Sequence, residues 1–196
     1  SDDSHKWSEY GDIPEYHQIE NYTETPVILP FNEKWTALYA GVQRANDALR
    51  VLAKVTDGSI SGEEIKQITA EARFLRGVYH FEAAKIWRNV PYVDETISYA
   101  NNNYNVPNTT PIWPKIEEDF KFADANLTDT KSEIARANSW AAKAFLAKAY
   151  MFQHKYTEAK VLFDDIMANG VTASGIKYGL IPKFGDNFNP AEKNNS

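Results

Sequence analysis

Residues Ser61 to Asn89 carry the longest unbroken helical period in the chain, and that period limits what the chain can fold into. Ile65, Ile68, Ala72, Leu75, Tyr79, Ala83 and Ile86 recur at three- and four-residue steps, which places them on one helix face. Ser61 followed by Glu64 is a capping box that fixes the start. Pro91 has no amide proton and its ring clashes with a preceding turn, so the helix is expected to stop near Asn89. An apolar stripe of this length needs other elements to cover it.

The rest of the chain offers helices for that role. Trp35, Leu38, Tyr39, Val42, Ala45, Leu49 and Leu52 predict an earlier helix from Glu33, ended by turn chemistry at Asp57-Gly58. Thr110 as N-cap and Pro111 as first helical residue predict a third. Its stripe is Trp113, Ile116, Phe120, Ala123 and Leu127, and Glu117-Glu118-Asp119 fall in early turns, where the macrodipole favours negative charge. Asn138 caps a fourth helix through Ala147, Tyr150 and Phe152, and a fifth holds Ala159, Leu162, Phe163, Ile166 and Met167 before Asn169-Gly170. Small residues let these last two approach closely, with Phe145, Tyr150 and Phe163 expected to fill the groove. Ala147, Tyr150, Ala159 and Phe163 match the spacing of a tetratricopeptide (TPR) unit, which cannot bury its own face alone.

No strand pattern of convincing length appears. The expected fold is all-α, built of TPR-like helical hairpins with long irregular loops, in one domain over 1–196. Within it, 1–32 reads as an irregular aromatic arm, 33–170 as the helical core and 171–196 as loop and tail.

Composition excludes several functions. A net charge of −6 with no run of lysines gives nucleic-acid phosphates nothing to bind. With 0 cysteines, disulfides and thiolate metal sites are ruled out. His5, His17, His80 and His154 are scattered, without the helical pairs that hold metals, so each reads as a surface or packing residue. No Gly-x-Ser-x-Gly and no glycine-rich loop after a strand is present, so neither a serine nucleophile nor a nucleotide cofactor is expected. No leader opens the segment and no apolar run reaches the about 18 residues of a membrane span, so either a cytosolic protein or targeting information outside the segment is expected.

Asp94-Glu95 and Glu117-Glu118-Asp119 are the carboxylates a glycosidase reading would use, but neighbours on a helix point in different directions and cannot oppose each other across a cleft. Arg73 and Arg76 allow two readings. They are an anion-binding pair, or their stems cover apolar surface while their heads pair with helix carboxylates or carbonyl ends, and the second is preferred.

The aromatics outside the helices are the better functional clue. Tyr16, Tyr22, Tyr99 and Tyr104 lie in Pro- or Asn-rich stretches beside Asn21 and Asn101. Sugars offer C–H faces for stacking, and their hydroxyls suit an amide's paired donor and acceptor. These six residues are the candidate ligand contacts; the plain alternative is that they are solvated loop residues that bind nothing.

Several motifs, in order, resemble the SusD/RagB family of nutrient-binding outer-membrane lipoproteins. Trp35, Tyr39 and Asn46 resemble its Trp-x3-Tyr…Asn helix, and Glu71-Ala72-Arg73-Phe74-Leu75-Arg76 its most recognisable motif. That motif leads to Val90-Pro91, with Arg88-Asn89 where the family often has glycine. Ile116, Asp119 and Ala123 resemble its Ile-x2-Asp-Leu-x2-Ala helix, and Arg136-Ala137-Asn138 with Ala141-Ala142 the start of its TPR-like hairpin. Tyr178-Gly179-Leu180 resembles the exit from that hairpin. The resemblance spans about residues 33–180.

It implies a surface-exposed, lipid-anchored protein of a bacterial outer membrane that binds oligosaccharide or polysaccharide without catalysis. Such a protein hands its ligand, a glycan or in some members a peptide, to a SusC-like TonB-dependent transporter. The anchor cysteine and a further C-terminal portion are expected outside this segment, and no motif carries binding residues across. Two rivals stand beside this reading. One is a TPR-type protein-interaction scaffold, which requires successive repeats of about 34 residues; the other is a helical glycan-active enzyme.

Overall fold

The computed structural model describes residues 14–189. Among the described residues six α-helices follow one another: α1 (Glu15–Glu20), α2 (Leu29–Leu52), α3 (Gly62–Trp87), α4 (Trp113–Asn126), α5 (Ser139–Phe152) and α6 (Tyr156–Asn169). A 3-10 turn covers Phe184–Phe188, and a single antiparallel bridge joins Val171 to Lys177. From α2 onward each helix packs on the one before it, giving an antiparallel stack in sequence order. The all-α expectation holds. No helix among the described residues is long and apolar enough to cross a membrane.

The caps form as their residue types dictate. Ser61 Oγ accepts from the Glu64 amide at 3.2 Å, and Glu64 Oε2 accepts from the Ser61 amide at 3.0 Å. Asn138 Oδ1 accepts from the Ala141 amide at 2.9 Å, while its Nδ2 donates to the carbonyls of Asp129 and Val171. One buried asparagine therefore starts α5 and ties down the chain on both sides of the last hairpin.

The core lies where α3, α4 and α5 meet. Phe81, Ile116 and Phe120 are fully buried there, and the Phe81 ring meets Phe145 and Phe152 edge-on. Gly77 permits this approach: a Cβ at that position would lie 2.9 Å from the Phe120 ring. On the other side of α3, a Cβ at Gly41 would lie 2.4 Å from the Tyr79 ring.

The structure corrects five expectations. The buried face of α3 is not the expected stripe: Leu75 and Ile86 are 44% and 43% exposed, while Ala70, Phe74, Gly77 and Phe81 are buried. The arm is not irregular throughout, because α1 forms within it and α2 begins at Leu29. Pro30 sits in the first turn of α2, where its missing amide proton costs nothing, so the residue that suggests a break marks a start. The third expected helix begins at Trp113 and not at Pro111, with Pro114 taking the same first-turn role and buried Ile112 at the N-cap position. Phe163 does not fill the hairpin groove. It is 38% exposed, since Ala159 is the only buried residue of α6 and the outer side of that helix faces no other element among the described residues.

Candidate functional site

The two arginines of α3 converge on one carboxylate of α4. Arg76 donates to Asp119 through Nε at 2.9 Å and Nη2 at 2.7 Å, and Arg73 Nε donates to the same group at 2.8 Å. Tyr92 Oη donates to Asp119 at 2.8 Å. Arg76 Nη1 completes the cluster with Asn46 Oδ1 at 3.1 Å and with Glu95. Burial alone would push the Arg76 pKa down; the hydrogen bonds and charge of Asp119 override it and hold the guanidinium above its ordinary value. The preferred reading of these arginines, pairing with carboxylates, is therefore right in kind. Its geometry differs, because the Arg76 head is buried against another helix and does not reach solvent.

His80 belongs to the same cluster, fully buried and stacked on Tyr92 at 4.6 Å. Its Nδ1 lies 3.1 Å from the Arg76 carbonyl, and its Nε2 accepts from the Val93 amide at 3.2 Å. That arrangement assigns the neutral ring with its proton on Nδ1. Burial pushes the His80 pKa down to about 4.

These groups hold the chain that leaves α3. Tyr39 Oη donates to the Pro91 carbonyl, Asn46 Nδ2 to Val93, and Arg50 Nε and Nη2 to Glu95 and Ile97, all at 2.8–2.9 Å. The carbonyls of Pro91, Val93, Glu95 and Ile97 thus dock on one stripe of α2. Burial pushes the phenols of Tyr39 and Tyr92 up, so both stay protonated as donors.

At the end of that segment stands the loop of candidate residues. Asn101 and Asn103 both donate to the Thr96 carbonyl, at 2.9 and 3.0 Å, and Asn103 Oδ1 accepts from the Ser98 amide at 2.8 Å. The Nδ2 of Asn101 and both polar atoms of the Asn103 amide are therefore occupied in shaping the loop. Tyr99 and Tyr104 pack against each other with ring centroids 4.8 Å apart and remain 84% and 54% exposed. Asp94 accepts from the Thr96 amide and hydroxyl, and Glu95 is taken by Arg76, so both carboxylates have structural partners.

Tyr16, Asn21 and Tyr22 lie elsewhere, on and just after α1, against the start of α2. Tyr22 is 77% exposed with a φ of 55°. The structure does not join them to the Tyr99 loop: Trp35 and Arg50, which mark the two locations, stand about 22 Å apart along α2 at the α-helical rise. Beside the arm is a groove of about 890 Å³ that sequence reasoning missed, lined by Phe31, Trp35 and Trp87 among others. Its signal was present in Phe31 and Trp35, one helical turn apart, but Phe31 fell within the expected irregular arm and Trp35 read as part of an apolar helix stripe.

The fold is thus a helical stack whose buried ion cluster holds a segment leading to two exposed, mutually packed tyrosines. Residues 1–151 match the SusD-like family described as "Starch-binding associating with outer membrane", and the chain belongs to that family. A SusD-like protein of Bacteroides ovatus is 29% identical over 137 residues, which is 69% of this chain and 25% of that protein. A laminarin-binding SusD-like protein of known structure is 29% identical, with a TM-score of 0.80 over 95% of this chain and 40% of its own. Surface glycan-binding protein A from Bacteroides thetaiotaomicron, solved with laminarihexaose, is 20% identical with a TM-score of 0.75 over 93% of this chain and 37% of its own. At that identity the similarity is one of fold. The chain spans about a quarter of the length of the curated relatives it matches.

Proposed function

We propose that this chain takes part in non-catalytic glycan binding at a bacterial outer surface, presenting oligosaccharide to a SusC-like TonB-dependent transporter. The observation that carries the reading is the exposed Tyr99–Tyr104 pair on a loop fixed by its own asparagines and by Arg50. A rigid pair of rings loses little entropy when a sugar face stacks on it. Family membership and the laminarin-binding relative support a glucan as the first ligand to test, and the family description supports a place at the outer membrane. A lipid anchor is proposed to hold it there. Tyr16, Asn21 and Tyr22 are proposed as further contacts for the same class of ligand.

Affinity electrophoresis of the full-length protein through gels containing neutral or acidic polysaccharides tests this. Retardation by at least one neutral glucan, without release of reducing ends, is expected. Migration unchanged in every gel contradicts it.

A further inference from the structure

We infer that the groove at the start of α2 is a second oligosaccharide site, separate from the Tyr99–Tyr104 loop. It lies between α1, the first turns of α2 and Trp87 at the end of α3. Its volume of about 890 Å³ is within the range of about 300–1,000 Å³ that encloses small ligands.

The lining has two parts. Phe31, Trp35 and Trp87 form an aromatic wall: Trp87 meets Trp35 edge-on at 5.1 Å and Phe31 at 6.4 Å, and Tyr39 backs Trp35 in a stack at 4.5 Å. Glu15, Gln18 and Asn32 supply polar side chains that make no hydrogen bond within the described residues. Polar groups already committed to the fold cannot serve a ligand, as Asn101 and Asn103 illustrate; these three are uncommitted.

The chemistry selects a class of ligand. Amides that donate and accept at one group match sugar hydroxyls, and aromatic walls match sugar C–H faces. No lysine or arginine lines the groove and Glu15 does, so phosphates and acidic glycans are disfavoured. No strand edge borders the groove, so a peptide held by strand addition has nothing to pair with. The amides of Gln18 and Asn32 beside the aromatic wall favour a neutral oligosaccharide. With two sites about 22 Å apart along α2, one long glycan can engage both and gain avidity over a short one.

This inference rests on the glycan reading, and two double variants separate them. Gln18→Ala with Asn32→Ala addresses the groove; Tyr99→Ala with Tyr104→Ala addresses the loop. The full-length protein is titrated calorimetrically with laminarihexaose and laminarin, with tryptophan emission followed in parallel because Trp35 and Trp87 line the groove while residues 93–110 hold no tryptophan. Two binding events are expected in the parent and one in each variant. The groove variant loses the emission shift and binds laminarin at least about tenfold more weakly, while the loop variant keeps the shift. Parent-like binding in the groove variant overturns the second site. Complete loss of binding in the loop variant overturns it also and leaves the loop reading intact. Loss of all binding in the groove variant alone upholds the groove and removes the loop. No binding of either probe by the parent overturns both.

Discussion

Arg76 on α3 and Asp119 on α4 form a two-point ion pair with both side chains buried, and the chain segment bearing the exposed tyrosines is hung from it through Tyr92 and Glu95. Removing one member leaves the other charge buried without its counterpart. Asp119→Ala is expected to cost about 3–5 kcal/mol, read as a lowered denaturant midpoint. Arg76→Lys, which keeps the charge but not the fork, is expected to lose part of that stability. A parent-like midpoint for Asp119→Ala contradicts the role given to the pair.

His80 supplies a pH dependence with a definite sign. Its ordinary pKa of 6.5 governs the unfolded chain, and burial lowers the folded value to about 4. Below 6.5 the unfolded state takes up a proton that the folded state refuses, so stability is full above that pH and falls between 6.5 and 4. The loss approaches about 3 kcal/mol at the acid end. Melting temperatures from pH 7.5 to 4.5 are expected to fall more steeply in the parent than in His80→Gln, whose side chain does not titrate.

The turn after α3 offers a stabilising change. Arg88 is exposed with a φ of 63°, a region that strains any side chain bearing a Cβ. Arg88→Gly is expected to raise stability by about 0.5–1 kcal/mol, measured as an increased melting temperature. A decrease would show that Arg88 contributes something beyond its backbone.

Gly77 predicts the opposite. Its Cβ would press on the Phe120 ring from a helix that cannot yield without shifting α4. Gly77→Ala, which intrinsic helix propensity favours, is instead expected to destabilise by about 1–3 kcal/mol. Gly62→Ala, in open space in the first turn of the same helix, is the control and is expected to be near neutral.

Much of the scaffold was legible because its determinants are local. The Ser61 box and the Asn138 cap are read within a few residues, and the apolar stripes of α2 and α4 repeat with the helix turn; the stripe of α3 was misplaced, because its core face is made of small and aromatic residues such as Ala70, Phe74, Gly77 and Phe81. What stayed hidden depends on distance or ambiguity. Asp119 sits where the macrodipole already explains a carboxylate, and nothing near it reports arginines on another helix. Tyr39, Asn46 and Arg50 bond to main-chain carbonyls, which carry no side-chain signature in residues 91–97. Pro30 can end a helix or begin one, and only the packing of Leu38 and Val42 beyond it decides. The composition of the Asn-rich loop pointed to exposed tyrosines, but not to their contact with each other or to the asparagines spent on holding the turn.

The most direct measurement is calorimetric affinity of full-length Tyr99→Ala/Tyr104→Ala for laminarin, taken with its melting temperature. Affinity reduced at least about tenfold with the melting temperature unchanged is the expected result, since aromatic anchors carry about 2 kcal/mol or more of a binding site's energy. Parent-like affinity in that variant would contradict the loop's assignment as a glycan platform.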